Sequence, residues 1–184
     1  MKKVLFIVGS LRAASFNRQL AERAAASFTE VEYSFLDYAD LPFMNQDIEY
    51  PAPDAVRRVR EEVMAADVLW IFTPEYNGSY PGVLKNLLDW LSRPLDPKDR
   101  KSPSAIRGKY VMVSSAAGQS AGMHAQEKLK ELLKGIGAVM VRDDGFGHAL
   151  GREEFMTDTL ILTAEEKRML AAQAGDLILG VGGF

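Results

Sequence analysis

Cysteine is absent from this chain of 184 residues. Its absence excludes disulfide bonds, thiolate zinc sites, iron–sulfur clusters and a cysteine nucleophile. An excess of positive charge is also absent, since the two signs nearly balance and the formal net charge is −3, so we expect neither nucleic acid nor an anionic membrane surface as a partner. The first apolar run, residues 4–8, is too short for a secretory signal, and no run is long enough to span a bilayer. These absences predict a soluble, cytoplasmic protein with a single domain over residues 1–184.

Short apolar runs alternate with amphipathic segments along the chain. The apolar runs predict five strands, at residues 4–8, 31–36, 67–73, 110–114 and 138–141. Helical spacing predicts five helices, at residues 15–28, 55–63, 83–90, from 119 to the glycines at 135 and 137, and from a capping box at 163–166 to about 179. This alternation predicts a doubly wound α/β domain, with helices on both faces of a parallel sheet. The glycine-rich end, residues 180–184, is predicted to be a loose tail.

In such a sheet ligands bind beyond the carboxyl ends of the strands, so the loops after strands one, three and four are the candidate site. The first loop reads GSLRAASFN and leads into a helix N-terminus, which favours an anion. Ser10, Ser15 and Asn17 add polar groups, and Arg12 can fork onto phosphate oxygens. Ser15 also suits a plain helix cap and Arg12 a solvated charge. Because the loop lacks both G-x-G-x-x-G and GK[ST], it favours a single terminal phosphate over a pyrophosphate or a nucleoside triphosphate.

The second loop, Pro74-Glu75-Tyr76-Asn77-Gly78, carries more chemistry than a connector needs. The ring of Tyr76 offers a flat apolar wall, and Asn77 can both donate and accept hydrogen bonds to a heterocycle. Glu75 is either a ligand contact or a brace for the loop. The third loop, SSAAGQSAG at residues 114–122, is rich in small residues that let the backbone approach a ligand.

Two longer motifs resemble the NAD(P)H-dependent FMN reductase family, whose members include chromate, quinone and azo-dye reductases. They are GSLRxxSFN and TPEYNxSxPGxLKNxLDWLSR, and the likeness covers residues 4–122. The resemblance implies a flavodoxin-like three-layer sandwich with five parallel strands in the order 2-1-3-4-5. It also implies bound FMN, NADPH or NADH as co-substrate, a small-molecule electron acceptor, and a homodimer or homotetramer.

The resemblance also implies which residues contact the cofactor. Those around the FMN phosphate and ribityl chain would be Ser10, Leu11, Arg12, Ser15, Phe16 and Asn17. Those along the isoalloxazine would be Pro74, Glu75, Tyr76 and Asn77, and those at its other rim Ser115, Ala116 and Gly118. The third set departs most from the family pattern, because AAGQSAG has no close match there.

On this interpretation the flavin carries the chemistry, hydride passes in a ping-pong sequence, and no catalytic side chain or metal is needed. His124 and His148 are the only histidines, and neither has an evident serine–acid partner in the sequence. The adjacent Asp143 and Asp144 predict a solvated turn. The main alternative is a flavodoxin-type electron carrier, which would not oxidise NAD(P)H itself. A phosphate-ligand binding module is a second alternative, and a response regulator would need acidic residues after strand one instead of Gly9 and Ser10.

The sequence leaves three questions open. Quinone, azo dye, metal oxyanion and free flavin all suit an open flavin face as acceptors. Arg93, Arg100 and Lys101 either select NADPH by its 2′-phosphate or simply solubilise a loop. Four apolar side chains of the third helix region belong either to a subunit interface or to the core: Tyr80, Val83, Leu84 and Trp90.

Overall fold

The computed structural model describes residues 1–180 and contains one parallel sheet. Its strands are β1 (Lys3–Val8), β2 (Glu32–Phe35), β3 (Val68–Thr73), β4 (Tyr110–Ala117), β5 (Val139–Met140) and β6 (Gly147–Ala149). The order β2-β1-β3-β4-β5 confirms the predicted topology. The fifth strand position is split, however, because β5 pairs with the start of β4 and β6 with its end. Residues 181–184 of the predicted tail lie outside the described residues.

In the described part of the chain, six α-helices surround the sheet: α1 (Phe16–Ala25), α2 (Asp54–Ala65), α3 (Gly82–Leu91), α4 (Met123–Gly135), α5 (Arg152–Thr157) and α6 (Ala164–Gly180). The capping box predicted for α6 is present, since the Thr163 amide donates to the Glu166 carboxylate and the Glu166 amide donates to Thr163 Oγ1. Helix α5 was not predicted, because six residues are too few for a helical period to show. Across residues 1–180, none of the helices combines the length and apolarity that crossing a bilayer requires.

Each face of the sheet has its own core because side chains alternate along a strand. Leu5 and Ile7 of β1 pack with α2, α3 and α4, whereas Phe6 and Val8 pack with α1 and α6. Leu84 and Trp90 are both fully buried at 0% exposure. These two side chains therefore pack inside the subunit, and an interface role for them is excluded.

The strand order places a crevice at the carboxyl edge of the sheet. From β1 the chain crosses to β2 on one side, and it later returns to β3 on the other side of β1. This reversal makes the end of β1 a topological switch point, where doubly wound proteins bind ligands. The loops after β1, β3 and β4 meet there.

Candidate functional site

A cleft of about 360 Å³ opens at the carboxyl edge of the sheet, within the size range of small-molecule sites. Ten of the thirteen residues predicted for the site line it: Ser10, Arg12, Ser15, Phe16, Asn17, Pro74, Glu75, Tyr76, Ala116 and Gly118. Ala117 also belongs to the lining, as do three residues that the sequence did not indicate: Leu150, Phe155 and Asp158. The other three residues predicted for the site do not line this cleft in the described structure: Leu11, Asn77 and Ser115.

The first turn of α1 forms one end of the cleft. Ser15 is its N-cap, with Oγ accepting a hydrogen bond of 3.2 Å from the Arg18 amide. The amides of Phe16 and Asn17 are the first two of the helix, and an α-helix supplies no internal acceptor for such groups. This end of the cleft therefore offers N–H donors and the positive end of a helix dipole, which together attract an anion.

Arg12 extends across this end of the cleft. Its Nη1 donates to the Ala14 carbonyl at 3.1 Å, and its Nη2 donates to the Asp158 carboxylate. The guanidinium also lies 5.8 Å from the centre of the Phe16 ring. Both partners of the Arg12–Asp158 pair are about half exposed, so the Arg12 side chain is accessible to a ligand.

Asn17 points away from the helix end and toward β4. Its Nδ2 donates to the Ala116 carbonyl at 2.9 Å, and its Oδ1 accepts from the Ala116 amide at 2.9 Å. The side chain is buried and engages both backbone groups of one residue. Asn17 therefore joins the first loop to the third.

The second loop ends in a tight hairpin. The Tyr76 amide donates to the Ser79 carbonyl at 2.8 Å, and the Ser79 amide donates back at 3.1 Å. Asn77 and Gly78 between them have φ of 52° and 69°, the left-handed pair of a type I′ turn, for which Asn-Gly is a preferred sequence. Asn77 therefore occupies the turn tip, while the Tyr76 ring is 52% exposed beside the cleft.

Glu75 braces this loop against α4. One carboxylate oxygen accepts from Ser120 Oγ at 2.9 Å and the other from the Ala125 amide at 3.1 Å. Burial raises the pKa of Glu75, but these two hydrogen bonds and the charge of His124 outweigh it, so the pKa lies below its ordinary value. Of the two roles considered for Glu75, the bracing role is the one that these contacts support.

The third loop contributes Ala116, Ala117 and Gly118 to the lining. Ser115 is fully buried, and its Oγ donates to the Ala121 carbonyl and accepts from Gln126 Nε2 at 2.7 Å. Its hydroxyl group therefore faces the start of α4, away from the cleft. Ser115 fixes the loop whose backbone lines the cleft.

A fourth wall comes from the segment after β6. Leu150, Phe155 and Asp158 reach the cleft from there, and the Phe155 ring meets the Phe16 ring edge-on at 5.7 Å. The sequence contained one signal for the start of α5, because Glu154 follows Gly151 by three residues. In the structure the Gly151 amide donates to the Glu154 carboxylate at 2.7 Å.

Three other charged residues that the sequence analysis named have side-chain partners. Arg93 forms two hydrogen bonds with Glu49, at 2.7 and 3.0 Å, so its guanidinium is already engaged. Asp143 pairs with Lys134 at 2.7 Å and Asp144 with Arg142 at 2.6 Å. Within residues 1–180 no group of three potential ligands is placed to hold a metal ion.

The sequence of the chain is similar to those of known proteins. The family model described as NADPH-dependent FMN reductase matches residues 2–150. A 2-hydroxy-1,4-benzoquinone reductase of Burkholderia sp is 46% identical over 121 residues, which are 64% of this chain and 66% of that protein. An NAD(P)H-dependent FMN reductase of Pseudomonas aeruginosa is 38% identical over 133 residues, 71% of this chain and 69% of that protein. The chain thus matches about two thirds of the length of these relatives.

A solved structure extends the likeness to nearly the whole chain. The flavoenzyme NAD(P)H:(acceptor) oxidoreductase FerB of Paracoccus denitrificans superposes with a TM-score of 0.85 and 28% identity. The superposition covers 99% of this chain and 98% of that one. The shared fold therefore includes the segment that forms the fourth wall.

Proposed function

Because the chain belongs to the NADPH-dependent FMN reductase family, we propose that it passes two electrons from NAD(P)H, by way of bound FMN, to a quinone. This is a family of oxidoreductases whose cofactor is FMN. The observation that carries the proposal is the cleft itself. An anion-binding helix end with Arg12 stands at one side, and the aromatic ring of Tyr76 at the other.

The donors at the helix end fit the phosphate of FMN. The amides of Phe16 and Asn17, the hydroxyl of Ser10 and the guanidinium of Arg12 are all suited to a dianionic terminal phosphate. Ser15 supports this end as the helix cap and also lines the cleft.

The remaining walls fit a planar ring. Pro74 and Tyr76 supply one side and the backbone of Ala116 and Gly118 the other, while Glu75 holds the two loops together. Small residues in the third loop let the backbone come close to a flat ligand. Leu11, Asn77 and Ser115 do not line the cleft, and we assign them to the site because they shape the loops that do.

Bound FMN supplies the chemistry, because it accepts a hydride from the nicotinamide and passes electrons on to the acceptor. The chain's own residues bind and orient the ligands. Among residues 1–180, the lining contains no histidine, lysine or cysteine. Since donor and acceptor would use the same open face in turn, the proposal includes ping-pong kinetics.

A quinone is the acceptor that the observations favour. Relatives of this chain are named quinone reductases, including one from Escherichia coli that is 33% identical over 150 residues. Tyr76 and Leu150 add apolar side chains to the cleft, which suit a flat, weakly polar acceptor better than a metal oxyanion.

We further propose that the subunit forms a homodimer or homotetramer. Phe43 is 86% exposed, yet its neighbours are held firmly. The Asn86 side chain accepts from the Met44 amide at 2.8 Å and donates to the Pro42 carbonyl at 2.9 Å. An exposed aromatic ring on a braced loop is typical of an interface residue. Light scattering of the wild type and Phe43→Ser tests this, and a wild-type monomer would contradict it.

The test of the enzymatic function starts from protein saturated with FMN under anaerobic conditions. NADPH and NADH are added separately and the flavin absorbance is followed. We expect the absorbance to bleach within seconds, and then to return when 1,4-benzoquinone is added. Initial rates at several fixed quinone concentrations should give parallel double-reciprocal lines. Bound flavin that stays oxidised with both donors would instead indicate an electron carrier, and an absence of bound flavin would refute the assignment of the cleft.

A further inference from the structure

Residues 150–163, called the strap below, start where the match to the family model ends at residue 150. The strap contains α5 and leads from β6 to α6. It contributes Leu150, Phe155 and Asp158 to the cleft. None of the motifs that carry the family likeness falls in it.

The strap is anchored by a buried histidine clamp. His148 of β6 is 5% exposed, and both of its ring nitrogens face carboxylates. Nδ1 lies 2.7 Å from Glu166 Oε1, and Nε2 lies 2.8 Å from Glu154 Oε1. Glu154 belongs to α5 and Glu166 to α6, so one imidazole ring connects the sheet to both helices.

The two carboxylates extend the clamp to the strap backbone. Glu154 accepts from the Gly151 amide at 2.7 Å and from the Ile161 amide at 2.9 Å. Glu166 accepts from the Thr163 amide at 2.8 Å. The clamp therefore holds the first turn of the strap and also its far end.

Both carboxylates of the clamp are stabilised in their ionised form. Burial raises the pKa of both Glu154 and Glu166, but hydrogen bonds from backbone amides and from His148 outweigh it, so the pKa of each carboxyl lies below its ordinary value.

The strap residues held in this way contact the helix end of the cleft. Phe155 packs edge-on against Phe16, and Asp158 accepts from Arg12. Gln19 of α1 fixes the same stretch, since its Nε2 donates to the Asp158 carbonyl at 2.9 Å and its Oε1 accepts from the Leu160 amide at 2.8 Å. The position of the strap therefore determines how closed this end of the cleft is.

We propose that His148 is a positioning residue of the cofactor site. Through the strap it holds Phe155 against Phe16, and it holds Asp158 where its carboxylate orients the Arg12 guanidinium at the phosphate end of the cleft. This inference rests on the proposed function, because it takes FMN as the ligand of the cleft. His148 does not touch the ligand and acts through the strap. If the clamp served only folding, breaking it would lower the stability of the protein and leave its preference for FMN over riboflavin unaltered.

The test measures dissociation constants of FMN and of riboflavin for the apoprotein, by quenching of flavin fluorescence. His148→Gln and Glu154→Gln break the clamp, and Glu153→Gln, on the exposed side of α5, is the matched control. All are measured at a temperature where circular dichroism shows them folded. We expect the two clamp variants to bind FMN about tenfold more weakly, because Asp158 then no longer orients the Arg12 guanidinium for a charge-assisted hydrogen bond to the phosphate. Riboflavin, which lacks the phosphate, should be affected much less, and the control not at all.

Three outcomes decide the matter. An unchanged preference for FMN over riboflavin in folded His148→Gln would overturn the inference while leaving the proposed function in place. If the clamp variants fail to fold, Phe155→Ala takes their place, because this ring is 57% exposed, and an unchanged FMN dissociation constant there would overturn the inference equally. Wild-type protein that binds no FMN would overturn both the inference and the proposed function.

Discussion

The side-chain amide of Asn17 pairs with both backbone groups of Ala116, through two hydrogen bonds of 2.9 Å. The two residues are 99 positions apart in the chain. The pair connects the first turn of α1 to the end of β4, and so it sets the distance between the anion-binding end of the cleft and the loop after β4. In the structure Asn17 shapes the cleft with its side chain, while its backbone N–H remains at the helix end.

Asn17→Asp tests this relationship with almost no change in shape. It replaces the donor that faces the Ala116 carbonyl by an oxygen and places a charge at a buried position, which we expect to destabilise the fold by about 3 kcal/mol. Urea unfolding at pH 7 measures the loss, and FMN affinity should fall as well. Asn77→Asp is the control, because an exposed Asp-Gly suits the same turn. Equal stability of the two variants would contradict the structural role of Asn17.

Arg12→Ala tests the phosphate assignment. Loss of a forked, charge-assisted hydrogen bond should weaken FMN binding by a factor of about 10 to 100. The free energy of unfolding without FMN should change by less than about 1 kcal/mol, because the Arg12–Asp158 pair is half exposed. Fluorescence titration and urea unfolding separate the two effects.

Arg18→Ala is the matched control for Arg12. Arg18 also lies near the start of α1, but its partner is Glu22 one helical turn further on, at 2.8 Å. We expect its FMN dissociation constant to stay within about twofold of the wild type, as for a change at an exposed pair. An equal loss of FMN affinity in both variants would indicate a general effect of positive charge at this end of the cleft. It would contradict a specific role for Arg12.

The fold was predictable from the sequence, and the part of the site that depends on local signals was predictable with it. The apolar runs predicted the strands, their alternation with helices placed three loops at one edge, and Ser15 was recognisable as a cap. The clamp of His148 was not predictable, because no sequence pattern links this residue to Glu154 and Glu166, 6 and 18 positions away. The sequence left bracing open as one of two roles of Glu75, but its partners were not predictable because they are distant in sequence. Glu75 reaches Ser120 and Ala125, 45 and 50 positions away, and no local pattern encodes such a pair. The fourth wall was missed because α5 is too short to have a readable period.

Glu75→Gln should reduce stability in a pH-dependent way. Its carboxylate receives the Ala125 amide at the start of α4, and loss of such a cap costs about 1 kcal/mol. Since the folded-state pKa is below the ordinary 4.5, the stabilisation is complete above that ordinary value and is lost as the pH falls through the folded-state pKa. Wild type should therefore be more stable than the variant at pH 7, and the difference should shrink in acid.

Urea unfolding between pH 7 and pH 3 measures this difference. Glu127→Gln on the exposed side of α4 is the control and should follow the wild type at each pH. A difference between Glu75→Gln and wild type that does not change with pH would show that the ionised carboxylate is not what stabilises the loop.

Gly78→Ala tests whether the hairpin geometry positions Tyr76. Gly78 has a φ of +69°, and a Cβ there would meet nothing within 4 Å, so the cost is confined to the backbone, about 1 kcal/mol for a left-handed alanine. Gly108→Ala is a closely matched control, with a φ of +78° and equally free space, at the opposite edge of the sheet. Both variants should lose similar stability in urea unfolding, because the backbone penalty is the same. Only Gly78→Ala should weaken FMN binding, since only that turn holds a wall of the cleft. Equal FMN affinity in the two variants would show that backbone strain in this turn does not reach the ring-binding side of the cleft.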